Sequence, residues 1–184
     1  MVRDAAARFG DADAVVDGDR RVGFAELRDL VSGAARALVA GGLEPGERAA
    51  VWAPNSLEWI VAALAVTSAG GVLVPVNTRF RGAEAAYVLG RSRARVLFTV
   101  CGFLDTDYPA LLADVGADLP ALEHTVLLSG DEDVGSVGWN DFLAQGDGLR
   151  DADVDARIAS LGPDDPSDVV FTSGTTGNPK GVVM

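Results

Sequence analysis

From Phe24 to Ala40 the apolar residues Phe24, Leu27, Leu30, Val31, Ala34 and Leu38 keep helical spacing, and Gly41 with Gly42 closes the helix. Before it, Ala14–Val16 and Arg21-Val22 flank Asp17, Gly18 and Asp19, which predicts a hairpin. Pro45-Gly46 turns the chain into a strand over Arg48–Ala53. Asn55 and Glu58 then have the spacing of a capping box, with Asn55 at the cap of an apolar helix that ends near Ala69. A strand over Val72–Val76 follows, then a polar loop over Asn77–Gly82, a short helix from Ala83 to about Leu89 and a strand over Arg95–Val100. Further on, Pro109–Leu119 reads as helix, Thr125–Leu128 as extended, Ser129–Gly138 as an exposed loop and Trp139–Ala144 as helix. Strand and helix signals alternate, so the pattern predicts an α/β fold whose parallel strands are joined by right-handed crossovers.

The stretch Trp59–Val76 is 18 residues without a charge, long enough for a crude match to a membrane span. Thr67, Ser68, Gly70, Gly71 and Pro75 divide it, and the pattern reads as a buried helix feeding a buried parallel strand. No membrane span is expected. The N-terminus carries charge but leads into no apolar stretch, unlike a signal peptide.

With 184 residues, 48% of them hydrophobic, the chain has enough material for a sizeable core. Its net charge of −12 disfavours nucleic acid as a partner. The same field repels any polyphosphate, so a phosphate site here requires local compensation. Cys101, the single cysteine, excludes an internal disulfide and fits a reducing, cytoplasmic setting; at a strand end it reads as a small packed thiol. His124 is the single histidine. Neither a histidine-rich metal site nor a Cys–His dyad can be assembled from these two.

The chemistry concentrates near the C-terminus. Between the β-forming runs Val169–Phe171 and Val182-Val183 lies a loop of Thr172, Ser173, Gly174, Thr175, Thr176 and Gly177, followed by Asn178, Pro179 and Lys180. Glycines let successive N–H groups converge on an anion, and the hydroxyls add donors that can also ligate a metal. Pro179 stiffens the exit and biases Asn178 toward an extended backbone. Lys180 supplies a flexible point charge suited to phosphate oxygens. The loop is a candidate polyphosphate grip. Rival motifs fail on spacing: Lys180 follows Pro179 and precedes Gly181, unlike the Gly-Lys-Ser/Thr of the common P-loop. The dinucleotide fingerprint is also absent, because no glycine stands at position 172.

The run from Phe171 to Val182 resembles the phosphate-binding signature of the adenylate-forming superfamily, which comprises acyl- and aryl-CoA synthetases, luciferases and peptide-synthetase adenylation domains. The tracts Phe24–Leu27, Pro54–Trp59 and Val74–Phe80 stand in the order and rough spacing of that family's N-terminal region, so the resemblance covers essentially the whole chain. Val76–Phe80 is similar to the acyl-CoA ligase version, and Gly102–Tyr108 to actinobacterial fatty-acid-CoA ligases, including those for sterol-derived ring acids.

The resemblance implies layered, mostly parallel sheets flanked by helices, with residues 1–184 a partial N-terminal domain ending just after the loop 172–181. It implies a two-step reaction with ATP, Mg²⁺ and coenzyme A, in which a carboxylic acid becomes an acyl-adenylate and then a thioester. Thr172–Lys180 would hold the β- and γ-phosphates, Thr175 would face Mg²⁺, and Lys180 would be a supporting charge. No catalytic residue is assigned within the segment. Adenine, ribose and C-terminal motifs of the family do not occur in it, so these 184 residues alone are expected to make no acyl-CoA. Two alternatives stay open: an adenylation domain serving a carrier protein, and a truncated, non-catalytic fragment.

Overall fold

The computed structural model describes residues 1–130, 135–172 and 178–184. The chain opens with helix α1 (Val2–Phe9), and strands β1 (Asp13–Asp17) and β2 (Arg20–Gly23) form the expected antiparallel hairpin. Helix α2 (Phe24–Ala40) buries Leu27, Val31, Ala34 and Leu38 of the predicted stripe, together with Ala35 and Ala37, while Phe24 and Leu30 are half-buried. Strand β3 (Arg48–Trp52) follows, then helix α3 (Leu57–Ser68), strand β4 (Val72–Pro75), helix α4 (Gly82–Ser92) and strand β5 (Ala94–Phe103). Beyond it come β6 (Thr106–Asp107), α5 (Tyr108–Asp114), β7 (His124–Ser129), β8 (Val137–Gly138), α6 (Trp139–Ala144) and α7 (Asp151–Ser160). The chain ends on β9 (Val169–Thr172) and β10 (Lys180–Val183).

The central sheet runs β4-β3-β5-β7-β8 with all neighbours parallel, and β6 pairs antiparallel with β5. The chain steps from β3 outward to β4 and then back across β3 to β5. With right-handed crossovers, that reversal puts α3 and α4 on opposite faces. In agreement, α2 packs against α1, α3, α6 and α7, while α4 pairs with α5. The sheet's middle is dry: Ala49–Trp52 and Leu97–Thr99 are almost completely buried. Burial on both faces explains why these strands read as continuous apolar runs.

Four expectations need correction. The cap of α3 is Ser56, not Asn55. Ser56 is extended, and its Oγ accepts from Trp59 N at 3.1 Å, while Asp17 Oδ2 of the hairpin accepts from Leu57 N at 2.9 Å. Glu58 is drawn to Arg20, 2.6 Å away, rather than back over the helix end. The helix expected over 109–119 stops at Asp114, where Gly116 N bonds to Ala113 O and the chain turns away. Helix α4 and strand β5 each run about a turn or a few residues past the expected ends. The stretch 129–138 contains β8, although residues 131–134 lie outside the described residues.

The uncharged stretch at 59–76 is, as expected, a buried helix, a turn and a strand. Gly70, at φ 83°, takes the left-handed conformation that ends α3. No helix among the described residues is long and apolar enough to cross a membrane. The cap assignment is directly testable. Ser56→Ala should cost about 1 kcal/mol in a urea melt, whereas Asn55→Ala should be close to neutral; the reverse order would return the cap to Asn55.

Candidate functional site

Strand β9 is tied to the central sheet through β4. Leu73 N donates to Ser167 O at 2.9 Å, and Leu73 and Asp168 form a parallel bridge. Because β9 runs parallel to β4, the loop after Thr172 leaves from the same end as the carboxyl ends of β3, β4 and β5. Open α/β sheets bind ligands at that end. Strand β10 then returns antiparallel, with Lys180 opposite Thr172, Gly181 opposite Phe171 and Val183 opposite Val169. The hairpin therefore holds the two ends of the loop, Thr172 and Lys180, side by side. Thr172 Oγ1 also donates to Lys180 O at 3.5 Å.

Of the predicted site residues, Thr172, Asn178 and Lys180 are exposed and Pro179 is half-buried. Ser173, Gly174, Thr175, Thr176 and Gly177 lie outside the described residues. Asn178, Pro179 and Lys180 line a cleft of ≈ 500 Å³ whose opposite wall is α4, with Tyr87 and Arg91. Tyr87 and Arg91 are four apart and so share one helix face. Neither is marked by its local sequence, because their relation to the loop is made by the fold. Arg91 and Lys180 are the basic residues that line this cleft.

The same end of the sheet carries a second structured turn. Trp52, at the end of β3, donates through Nε1 to Asn77 O at 3.1 Å, and its ring meets Tyr108 edge-on with centroids 4.5 Å apart. Tyr108 Oη donates to Thr78 O at 3.1 Å, and burial pushes its phenol pKa up. Two buried rings thus hold the turn Asn77–Phe80. At the opposite end, Arg95 bridges Glu47 and Glu123 at 2.7 and 2.8 Å. Burial would raise the Glu47 pKa, but the Glu44 amide and Arg95 outweigh it and hold the carboxyl below its ordinary value. That cluster sits at the amino ends of the strands, away from the loop, and its place is structural.

Cys101 is half-buried in β5 near Asp107, and His124 opens β7 half-buried. Among the described residues no group of three or more His, Cys, Asp or Glu is arranged to hold a metal.

A family profile described as AMP-binding enzyme matches residues 2–184, nearly the whole chain. The chain belongs to the AMP-binding enzyme family. A 3-[(3aS,4S,7aS)-7a-methyl-1,5-dioxo-octahydro-1H-inden-4-yl]propanoyl:CoA ligase of Mycobacterium tuberculosis is 48% identical over 173 residues, covering 94% of this chain and 33% of that protein. Its counterpart of the same name from Rhodococcus jostii is 44% identical, covering 97% and 35%. This AMP-binding chain therefore spans about a third of the length of the curated relatives it matches. Among solved structures, the anthranilate CoA ligase AuaEII in complex with anthranoyl-AMP aligns with a TM-score of 0.86 at 25% identity, over 99% of this chain and 33% of that one. The N-terminal domain of FACL13 from Mycobacterium tuberculosis aligns with a TM-score of 0.79 at 25% identity, over 100% and 43%. These neighbours carry the mostly parallel sheet with flanking helices that the alternation of strands and helices predicts.

Proposed function

We propose that residues 1–184 are the N-terminal part of an ATP-dependent acyl-CoA ligase, and that the loop between β9 and β10 grips the phosphates of ATP. The observation that carries this reading is the 48% identity, over 94% of the chain, to a protein named as a CoA ligase. The loop's position at the carboxyl end of the sheet and the two cations of its cleft support it.

The reaction is an acyl transfer in two displacements. A carboxylate oxygen attacks the α-phosphorus of ATP and the bond to pyrophosphate breaks, giving an acyl-adenylate. The CoA sulfur, its proton lost, then attacks the acyl carbon and AMP leaves. Thr172 through Lys180 would bind the β- and γ-phosphates, holding the departing pyrophosphate in line and neutralising the charge that builds on it. Such positioning and electrostatic stabilisation lower the barrier without a protein nucleophile. Magnesium, where bound with ATP, supplies further charge neutralisation across the phosphate oxygens. Of this chain's residues, Thr175 would offer it a hydroxyl oxygen.

The ring-bearing propanoate in the names of both relatives points to a substrate class: a short carboxylic acid chain on a fused-ring skeleton. The test is thioester formation by the whole protein, supplied with ATP, magnesium, CoA and a panel of bicyclic propanoates, medium-chain fatty acids and aryl acids. AMP release with a CoA thioester of the bicyclic acids is the expected result. Pyrophosphate release without any CoA thioester would move the protein to the carrier-dependent class, and turnover of linear acids alone would overturn the substrate assignment.

A further inference from the structure

The cleft beside the loop contains a contact that spans 92 residues of sequence: Tyr87 Oη of α4 donates to the carbonyl of Pro179 at 3.2 Å. We propose that Tyr87 is a positioning residue for Lys180, latching the exit of the phosphate loop to α4. This inference rests on the reading of that loop as a phosphate grip.

The geometry makes the hydroxyl more than a filler. The Pro179 carbonyl belongs to the peptide unit that leads into Lys180. A hydrogen bond to that oxygen fixes the plane of the peptide, and with it the direction in which the Lys180 Cα presents its side chain. The peptide on the other side of Lys180 is held independently, by antiparallel pairing with Thr172 and by Thr172 Oγ1 on Lys180 O. Lys180 is therefore clamped from both flanks. Without the Tyr87 bond the lysine would be held only on its strand side, next to a loop rich in glycine, serine and threonine.

A latch is only as good as its post, and α4 is rigidly mounted. Its start is closed by Glu84, whose Oε2 accepts from Arg81 N at 2.9 Å. Its inner face buries Ala85, Val88 and Leu89. At Gly82 the helix lies so close to α5 that a Cβ would stand 1.9 Å from the Leu111 carbonyl oxygen, so the spacing of the two helices is fixed. Tyr87 is half-buried, with its ring packed against the core and its hydroxyl at the cleft.

The experiment uses the whole protein, titrated with magnesium pyrophosphate and followed by amide hydrogen exchange. Four proteins are compared: wild type, Tyr87→Phe, Lys180→Ala and the double variant. Phenylalanine keeps the ring and removes only the hydroxyl. Tyr87→Phe should weaken pyrophosphate binding about three- to tenfold and raise hydrogen exchange at the Lys180 amide by a similar factor, the worth of one ordinary hydrogen bond. If Tyr87 acts through the lysine, the double variant should bind no more weakly than Lys180→Ala alone, because the two changes remove the same interaction. Additive losses would show that Tyr87 merely supports the fold and would overturn the proposal. Weakened binding in Lys180→Ala with unchanged binding and exchange in Tyr87→Phe would overturn the latch and leave the loop assignment standing. Full binding in Lys180→Ala would instead sink the phosphate reading, and the role assigned to Tyr87 with it.

Discussion

Replacing Trp52 by alanine should destabilise the protein by about 4 kcal/mol, the size expected for truncating a large buried aromatic. Trp52 is completely buried at the end of a central strand, where its ring packs edge-on against Tyr108. Truncation would remove that contact and open a void beneath the turn Asn77–Phe80. A second variant separates packing from hydrogen bonding. Trp52→Phe keeps most of the apolar volume but loses the Nε1 donor to Asn77 O. That oxygen also accepts from Phe80 N at 2.9 Å, so it would not be left without a partner. The hydrogen bond's share should therefore be small, about 1 kcal/mol. Urea melts followed by near-ultraviolet circular dichroism give both numbers. A Trp52→Ala loss no larger than that of Trp52→Phe would mean that the site collapses around the missing ring and that packing is not what fixes the turn.

The elements legible in the sequence are those whose burial is written into their own residues. Helix α2 shows its stripe, and β3, β4, β5 and β7 show apolar runs because both faces of the sheet are covered. Helices α1 and α7 leave no such trace. Each buries one residue, Ala6 and Val154 respectively. They are held by partners far away in sequence, Arg3 with Asp155 and Arg36 with Asp151. The strands β6 and β8, two residues each, are too short for any alternation to show and exist through their neighbours' edges. The shift of the α3 cap from Asn55 to Ser56 has the same origin: Asp17 of the hairpin takes the first helical N–H and settles which residue precedes it.

The site divides along a similar line. The candidate phosphate loop is readable because the proposed role needs unusual residues at close spacing: glycines, hydroxyls, a proline and a lysine between positions 172 and 180. Its setting is not. That β9 joins β4 in parallel, that the loop therefore opens at the carboxyl end of the sheet, and that Tyr87 and Arg91 form the far wall are all consequences of tertiary pairing. The turn at 77–80 is readable through its resemblance to acyl-CoA ligases, yet the two buried rings that hold it emerge only once β3, β4 and α5 are assembled.

The sharpest functional expectation falls on Lys180. In the whole protein, if it is the ligase proposed, Lys180→Ala should lower kcat/KM for ATP about ten- to hundredfold, corresponding to roughly 1.5–3 kcal/mol for one charge-assisted contact. The lysine lines the cleft with Arg91 and is exposed, ready to meet an incoming anion rather than committed to the protein's own core. Because the proposed role is to neutralise charge on the departing pyrophosphate, KM for the carboxylic acid should hardly change. A base and a point charge can be told apart with Lys180→Arg. Arginine cannot give up its proton but keeps the charge, so it should recover a large part of the activity lost in the alanine variant, limited by the different shape of its planar group. Inactivity of the arginine variant together with a pH profile that loses its alkaline limb would make Lys180 a proton-transfer group instead. An unchanged rate for Lys180→Ala at subsaturating ATP would remove the lysine from the phosphate site altogether. The charge compensation that an acidic chain needs would then have to come from Arg91 and the loop's own N–H groups.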